Sequence, residues 1–89
     1  MKLQWHREAR ADLRQIRSFI AADHPEAAAQ MAQCILQATD RLAADPEVGR
    51  PGRVSDTREL VIIGTPCLAP YTIAGNRIII LRVLHAGLR

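Results

Sequence analysis

The first half of the chain carries apolar residues at the period of an α-helix. Residues 2–5 form a short strand candidate, and from His6 onward apolar positions recur every three or four residues. The resulting stripe consists of Ala9, Leu13, Ile16 and Ile20. The opposite side of this predicted helix carries four arginines, Arg7, Arg10, Arg14 and Arg17. The helix should end near Asp23 and His24, because Pro25 disfavours a helical conformation in the residue before it.

A second helix is predicted over residues 26–44, since Pro25 suits the first turn of a helix. Its apolar side has the spacing of a buried stripe and consists of Ala28, Met31, Ile35, Ala38 and Leu42. The two helices therefore form an antiparallel hairpin joined by a tight turn. Residues 46–56 contain two prolines and two glycines, which predicts a loop with no regular element that carries Arg50 and Arg53 outward.

The pattern of the last third is typical of β-strands. Strands are predicted over residues 58–63, 67–74 and 77–85, separated by a turn at residues 64–66 and a two-residue hairpin loop at Gly75-Asn76. They form a three-stranded antiparallel meander. Pro70 cannot donate a hydrogen bond to a neighbouring strand, so its strand should lie at an edge or carry a bulge. We expect the bulge, because this strand lies between two others in sequence.

Alternation along the last strand assigns its side chains to two faces of the sheet. One face is predicted to carry Ile78, Ile80, Arg82 and Leu84, and the other Ile79, Leu81, Val83 and His85. Both sets are apolar, so both faces should be covered. In a chain of 89 residues the helical hairpin can cover only one of them. The other face is then either a minor core covered by a loop or a groove for another polypeptide, and we favour the groove. An arginine in such a strand should face a groove or meet an acid, since an unpaired buried charge is costly.

Positive charge is concentrated in the second part of the chain. Residues 1–49 carry a formal charge of −1 and residues 50–89 carry +4, for a net charge of +3. Arginine supplies eleven of the twelve basic residues, and its planar fork suits carboxylate or phosphate partners. The only aromatic residues are Trp5, Phe19 and Tyr71, too few for base-stacking recognition. Direct sequence-specific binding of nucleic acid by this chain is therefore not expected.

No metal site, cofactor or membrane segment is predicted. Cys34 and Cys67 lie in a helical and a strand pattern, without a CxxC motif or paired histidines, so they are expected to be small packing residues. The longest aliphatic run, residues 78–81, is too short to cross a bilayer, and no signal-peptide segment is recognised. These features favour a reduced, cytoplasmic protein.

Several short segments, taken in order, resemble one known family, the ParE branch of the RelE/ParE toxins of type II toxin-antitoxin systems. The resemblance covers nearly the whole chain. The matching segments are Trp5, Ala11-Asp12-Leu13 with Ile16 and Ile20, Pro25-Glu26-Ala27-Ala28, Gly49-Arg50-Pro51-Gly52-Arg53-Val54, Thr57-Arg58-Glu59-Leu60-Val61, Gly64-Thr65-Pro66, Pro70-Tyr71, and Ile80-Leu81-Arg82-Val83-Leu84-His85. Two positions depart from the family pattern. Cys67 replaces a tyrosine that is usual there, and residues 86–89 do not continue into the aromatic and proline tail of many relatives.

The resemblance implies an α+β fold of order β-α-α-β-β-β, with the helical hairpin packed on one face of a small antiparallel sheet. It also implies a toxin that inhibits DNA gyrase by protein binding, without catalysis, and that a ParD-like antitoxin neutralises. Such an antitoxin has a ribbon-helix-helix domain and an acidic disordered tail.

Apolar surface beside positive charge suggests where an acidic tail could bind. The candidate contacts for the antitoxin are Leu13, Ile16, Phe19, Ile20, Arg58, Leu60 and Arg82. The candidates that face gyrase are Arg50, Arg53, Arg82, His85 and Arg89.

Two alternatives remain open at this stage. The first is a ribosome-dependent mRNA endonuclease of the RelE type, for which Arg58, Arg82 and His85 could supply two cations and an acid-base group. The predicted faces place Arg82 and His85 on opposite sides of the sheet, which counts against catalysis. The second alternative is a detoxified module that binds only the antitoxin.

Overall fold

The computed structural model describes residues 1–88 and places the predicted elements in the predicted order. In chain order the elements are β1 (Lys2–Trp5), α1 (Arg7–Ala21), α2 (Pro25–Asp40), β2 (Arg50–Pro51), β3 (Arg58–Ile62), β4 (Cys67–Ala74), β5 (Arg77–Ile80) and β6 (Leu84–His85). A single 3₁₀ turn, Arg41–Ala43, continues α2. The predicted helical hairpin and the α+β class are confirmed. Of the predicted site residues, Arg89 lies outside the described part of the chain.

The helix ends follow local chemistry. The His6 side chain caps α1, because its Nδ1 accepts a hydrogen bond from the backbone N–H of Glu8 at 3.2 Å. The chain then turns tightly, with the N–H groups of Asp23 and His24 both donating to the carbonyl of Ile20. Pro25 occupies the first turn of α2, where its missing N–H costs nothing.

The sheet is mixed. Its strand order is β1-β5-β4-β3-β2, and β6 pairs with β4 beyond the end of β5. The pairs β3–β4 and β4–β5 form the predicted antiparallel meander, whereas β1 runs parallel to β5. The prediction that residues 46–56 contain no regular element was wrong, because β2 pairs there with Arg58 and Glu59 at the start of β3.

The helical hairpin covers one face of the sheet, as predicted. The buried side chains of the helices and of the 3₁₀ turn include Ala9, Ile16, Ala28, Ile35 and Leu42, and those of the sheet include Ile62, Ala69, Tyr71, Ile78 and Ile80. Leu13, Ile20, Met31 and Ala38 are partly buried against the same core. Within residues 1–88 no helix covers the opposite face, where Val61 and Leu84 remain 49% and 43% exposed.

A bulge lies opposite Pro70, but the extra residue belongs to the last strand and not to the strand that contains the proline. Leu81 and Arg82 both direct their N–H groups at the carbonyl of Pro70, at 2.9 and 3.5 Å. The register shifts by one residue across this point, from Tyr71 opposite Ile80 to Leu68 opposite Leu84. The single predicted strand over residues 77–85 is therefore two strands, β5 and β6.

The bulge also changes which side chains share a face. His85 pairs with buried Cys67, and Val83 is only 2% exposed, so both lie on the helix side together with Ile78 and Ile80. Simple alternation had placed Val83 and His85 on the other face. That assignment was wrong beyond Ile80, because one extra residue reverses the order of all later side chains.

Arg82, at the bulge, meets an acid, which is one of the two outcomes expected from the sequence. Its Nε and Nη2 donate to Oδ2 and Oδ1 of Asp12 on α1 at 2.7 and 2.9 Å. The N–H of Val83 also donates to Asp12 Oδ2, at 2.9 Å. Burial alone would raise the pKa of Asp12, but these hydrogen bonds and the Arg82 charge together lower it below its ordinary value of 3.8. Asp12 therefore joins α1 to the last part of the sheet as a carboxylate.

We expect Asp12→Asn to lower the free energy of unfolding at pH 7 by about 2 kcal/mol, because charge-assisted hydrogen bonds are lost. The Arg82 side chain is 46% exposed, so its Coulomb attraction contributes less than the hydrogen bonds do. The pKa of Asp12 is lowered on folding, so its stabilisation is complete above 3.8 and is lost as the pH falls through the folded-state pKa. Urea unfolding at pH 7 and at decreasing acid pH measures both effects.

The matched control is Asp23→Asn, which changes an exposed carboxylate at the end of the helical hairpin. It should alter the free energy of unfolding by less than about 0.5 kcal/mol. A deficit in Asp12→Asn that stays constant down to acid pH would contradict a stabilising role for the carboxylate charge.

Candidate partner-binding surfaces

Residues 46–57, which we name the basic loop, are fixed to the sheet by Tyr71. This side chain is fully buried, and its hydroxyl donates to the carbonyl of Pro46 at 2.7 Å and accepts from the N–H of Gly49 at 2.9 Å. Burial raises the pKa of Tyr71 and outweighs the opposing effect of the Gly49 hydrogen bond, so the hydroxyl keeps its proton. A Cβ at Gly49 would come within 2.6 Å of the Tyr71 side chain, so this close approach requires glycine.

Two consecutive residues of β3 hold the rest of the basic loop. Arg58 Nη1 donates to the carbonyls of Glu47 and Gly49 at 3.0 and 2.7 Å. Glu59 is 7% exposed and accepts from Arg50 Nε at 3.2 Å and from the N–H of Arg53 at 3.4 Å. The Arg58 guanidinium thus binds backbone carbonyls of the same chain, and Glu59 partly neutralises the charge of Arg50. The Arg53 side chain is exposed and makes no ion pair within residues 1–88.

An apolar groove of about 700 Å³ lies between α2, the basic loop and β3. Its apolar lining includes Ala38, Val48, Leu60, Val61, Ile62 and Ile63. Because β2 pairs only with Arg58 and Glu59, the remainder of β3 has no neighbouring strand on this side within the described residues. Ile63 is 88% exposed and Val48 is 54% exposed. The groove therefore offers apolar contacts beside an open strand edge, as peptide-binding grooves do.

A smaller pocket of about 190 Å³ lies on the other side of the molecule, beside α1. Arg82 and His85 both line it, together with Asp12, Gln15 and Leu88. The His85 ring packs edge-on against the exposed ring of Phe19, with centroids 6.0 Å apart, and its Nδ1 accepts from the N–H of Gly87 at 2.9 Å. The expectation that Arg82 and His85 lie on opposite sides of the sheet was wrong, because the bulge places both beside α1.

The structure separates the predicted antitoxin contacts into two places. Phe19 is 49% exposed near the small pocket, with Leu13 and Ile20 half-buried on the same helix. Ile16 is 2% exposed, so it belongs to the core and offers no contact surface. Leu60 lines the groove at 9% exposure, and Arg58 is bound to the basic loop.

The predicted gyrase-facing residues are divided as well. Arg50 and Arg53 belong to the basic loop, and Arg50 lines the groove, whereas Arg82 and His85 line the small pocket. The same division separates Arg58 from the other two candidates for ribonuclease chemistry. Two of the three residues named for that chemistry therefore share a pocket, and the third does not reach it.

Cys67 is not placed for nucleophilic chemistry. Cys67 is 4% exposed in the core. Burial raises the pKa of its thiol and outweighs the opposing effect of a hydrogen bond with Thr65. Both cysteines are free thiols. In the described part of the chain, no group of three His, Cys, Asp or Glu residues could hold a metal ion, and no helix is long and apolar enough to cross a membrane.

Three residues that position these surfaces were not assigned a role from the sequence: Asp12, Glu59 and Tyr71. Asp12 lies at the border of the apolar stripe of α1, and a carboxylate in that position was the available signal. For Glu59, alternation along the strand predicts only that its side chain lies on the face opposite those of Arg58 and Leu60. Tyr71 gave no local signal, since its partners lie 22 and 25 residues earlier in the chain.

We expect Tyr71→Phe to lower the free energy of unfolding by about 2 kcal/mol, because the Gly49 N–H and the Pro46 carbonyl lose their partner. Amide hydrogen exchange at Gly49 should become faster, since that hydrogen bond fixes the basic loop. Thr72→Val is the matched control, as it removes another hydroxyl of β4 that bonds to the basic loop, from Thr72 Oγ1 to the Asp56 carbonyl at 2.9 Å, in a more exposed position. If both variants changed stability and exchange equally, Tyr71 would not be the anchor of the loop.

Comparisons with known proteins identify the family of this chain. The family described as ParE toxin of type II toxin-antitoxin system, parDE, matches residues 3–87. The chain is 41% identical over 85 residues to Y4kP of Sinorhizobium fredii, covering 96% of this chain and 88% of that protein. It is 39% identical over 83 residues to Toxin RelE2 of Caulobacter vibrioides, covering 93% and 92%.

A solved structure gives the same result for the fold. A chain of the structure titled "Chromosomal ParDE TA system from P. aeruginosa" superposes with a TM-score of 0.88 at 34% identity. The superposition covers 96% of this chain and 95% of that one. With sequence and fold in agreement over nearly the full length, the chain belongs to the ParE toxin family of type II toxin-antitoxin systems.

Proposed function

We propose that this toxin acts in the cytoplasm by binding DNA gyrase, without catalysis of its own, and that a ParD-like antitoxin neutralises it. The observation that carries the proposal is the open apolar groove beside an ordered basic loop. Both features are suited to protein partners. The relative from Pseudomonas aeruginosa is described as part of a ParDE system, which supports a ParD-like partner here.

The groove beside β3 is the proposed antitoxin site. An extended segment of the antitoxin can place apolar side chains against Val48, Val61 and Ile63 while its backbone pairs with the open edge of β3. The exposed arginine of the nearby loop, Arg53, favours acidic residues in the same segment. Phe19, near the small pocket, is a second proposed contact for the antitoxin.

Ile63→Asp should weaken binding of the antitoxin by about tenfold or more, which corresponds to about 1.4 kcal/mol. The substitution places a charge in the groove, and the fold should tolerate it because Ile63 is 88% exposed. Calorimetric titration with a ParD-like antitoxin measures the effect. Val54→Asp is the control, since Val54 is 68% exposed but does not line the groove. Equal affinities for the two variants would rule out the groove as the antitoxin site.

The basic loop is the proposed surface for gyrase. It presents Arg50 and Arg53 on a backbone held by Tyr71, Arg58 and Glu59. An ordered surface loses less conformational entropy on binding than a mobile one does. The contacts of Arg58 and Arg82 with the protein itself also support a mechanism without catalysis, because both guanidinium groups already have partners.

Arg53→Glu should reduce inhibition of DNA supercoiling by purified gyrase by about tenfold or more, since it reverses an exposed charge that makes no ion pair within residues 1–88. The measurement is the concentration of toxin that halves the supercoiling rate. Arg77→Glu is the control, because Arg77 is also exposed but is the first residue of β5, outside the basic loop. A potency that fell equally in both variants would indicate an effect of net charge and not of the basic loop.

One observation favours a second candidate, a ribosome-dependent mRNA endonuclease. Arg82 and His85 line one pocket, as a cation and an acid-base group in such an enzyme would. This candidate predicts codon-linked cuts in mRNA that His85→Ala abolishes while gyrase remains active. A module that binds only the antitoxin would inhibit neither gyrase nor translation.

A further inference from the structure

The outer side of α1 carries four exposed arginines, which we name the arginine stripe: Arg7, Arg10, Arg14 and Arg17. At 100° and 1.5 Å per residue they fall within an arc of about 80° and span about 15 Å along the helix axis. The stripe lies opposite the buried residues of α1, Ala9, Asp12 and Ile16. It is therefore separate from the groove and the basic loop of the proposed function.

The charge of the stripe is not neutralised within the described residues. The ion pairs that arginines form within residues 1–88 involve Arg50, Arg58 and Arg82 and none of the four residues of the stripe. Asp12 and Glu8 are the acidic residues of α1, and Asp12 is bound to Arg82 while Glu8 lies 3.8 Å from His6. Like charges at spacings of three and four residues repel one another on a helix. Arg7 and Arg10 also lie near the N-terminus, where the helix dipole disfavours cations. An anionic partner would relieve both effects.

The surroundings of the stripe favour a phosphate backbone over an acidic protein. Ala11, Ser18 and Ala21 lie within or beside the arc and are small. The only large apolar side chain of α1 that is highly exposed is Phe19, which lies about 160° around the helix from the centre of the stripe. Protein interfaces contain an apolar and aromatic centre, which this surface lacks. Contacts with phosphate require only cations in suitable positions. One arginine guanidinium can donate two parallel hydrogen bonds to the oxygens of a phosphate.

We propose that the arginine stripe binds the phosphate backbone of duplex DNA without reading its sequence. The stripe contains no aromatic side chain to stack on bases. Its arginines follow one another at about 4.5 to 6 Å along the helix axis in a row of about 15 Å, which suits successive phosphates along one strand. The toxin thus has a DNA-contacting surface in addition to the surfaces proposed for its protein partners. This inference does not depend on which protein the toxin inhibits.

The test compares two variants of the full chain that carry the same net charge. The stripe variant replaces Arg7, Arg10, Arg14 and Arg17 by Gln, which keeps a similar helix propensity. The control variant replaces Lys2, Arg41, Arg53 and Arg77 by Gln, four exposed basic residues that make no ion pair within residues 1–88. Both variants lose four positive charges from a net charge of +3. Fluorescence anisotropy follows binding to two unrelated labelled duplexes between about 50 and 200 mM NaCl.

The wild-type chain should bind both duplexes equally, with an affinity that falls steeply as salt increases. Neutralising the stripe should reduce the slope of log affinity against log salt concentration by about 3 to 4, whereas the control should change it by about 1 or less. Four phosphate contacts account for about a hundredfold loss of affinity between about 50 and 200 mM NaCl, and the stripe variant should lack this part of the salt dependence. An Arg10→Gln, Arg14→Gln double variant should show about half the change in slope, and it provides the test if the fourfold variant does not fold by circular dichroism.

Three outcomes would overturn the inference. Equal slopes for the stripe and control variants would indicate diffuse charge and not a site. Absence of binding by the wild-type chain at about 50 mM NaCl, where such contacts are strongest, would exclude the site. Competition by polyglutamate as effective as competition by unlabelled DNA, at equal charge concentration, would assign the stripe to an acidic polypeptide.

Discussion

The carboxylate of Asp12 is the contact on which the rest of this structure depends. It accepts three hydrogen bonds from two consecutive residues, Arg82 and Val83, that lie 70 and 71 positions later in the chain. Arg82 belongs to the bulge opposite Pro70, where β4 has no N–H to offer, and Val83 follows it directly. One carboxylate therefore holds α1 against the sheet at the point where strand pairing is interrupted. Through this contact Arg82 turns towards the helix, and His85 comes to lie beside Phe19.

A second set of contacts gives the toxin its asymmetric surface. The hydroxyl of Tyr71 and the side chains of Arg58 and Glu59 hold the basic loop from three positions on the sheet. Because β2 is only two residues long, this arrangement leaves most of the β3 edge open and forms one wall of the groove. The ordered loop and the open edge are therefore consequences of the same short strand pairing. That coupling places an apolar groove directly beside exposed arginine.

The sequence predicted the elements well, because their signals are local. Helical spacing identified the buried sides of α1 and α2, Pro25 located the turn between them, and alternation with Gly75-Asn76 identified the β4–β5 hairpin. The resemblance of the ordered motifs to one toxin family implied the fold class. The parallel pairing of β1 with β5 has no local signal, since it joins residues more than 70 positions apart. Pro70 indicated a break in pairing, but which strand carries the extra residue depends on the partner across the sheet.

The candidate site was predicted less completely for the same reason. Simple alternation does not account for the bulge, so it assigns Val83 and His85 to the wrong face of the sheet. For the same reason it places Arg82 and His85 on opposite faces. Ile16 was included as a contact because an apolar stripe does not distinguish its fully buried members from its exposed border. Asp12, Tyr71 and Glu59 act through distant partners, and a sequence pattern does not show such pairs. The corrected geometry places the proposed antitoxin groove on one side and the small pocket on the other.

We propose above that this toxin inhibits DNA gyrase by binding it and performs no chemistry on RNA. The most direct measurement adds the same purified chain, in parallel, to a gyrase supercoiling reaction and to translating ribosomes, and follows DNA cleavage complexes and mRNA ends. We expect cleavage complexes of gyrase to accumulate while the mRNA stays intact. The His85→Ala variant should give the same result. Codon-linked mRNA cuts in the presence of fully active gyrase would contradict this proposal.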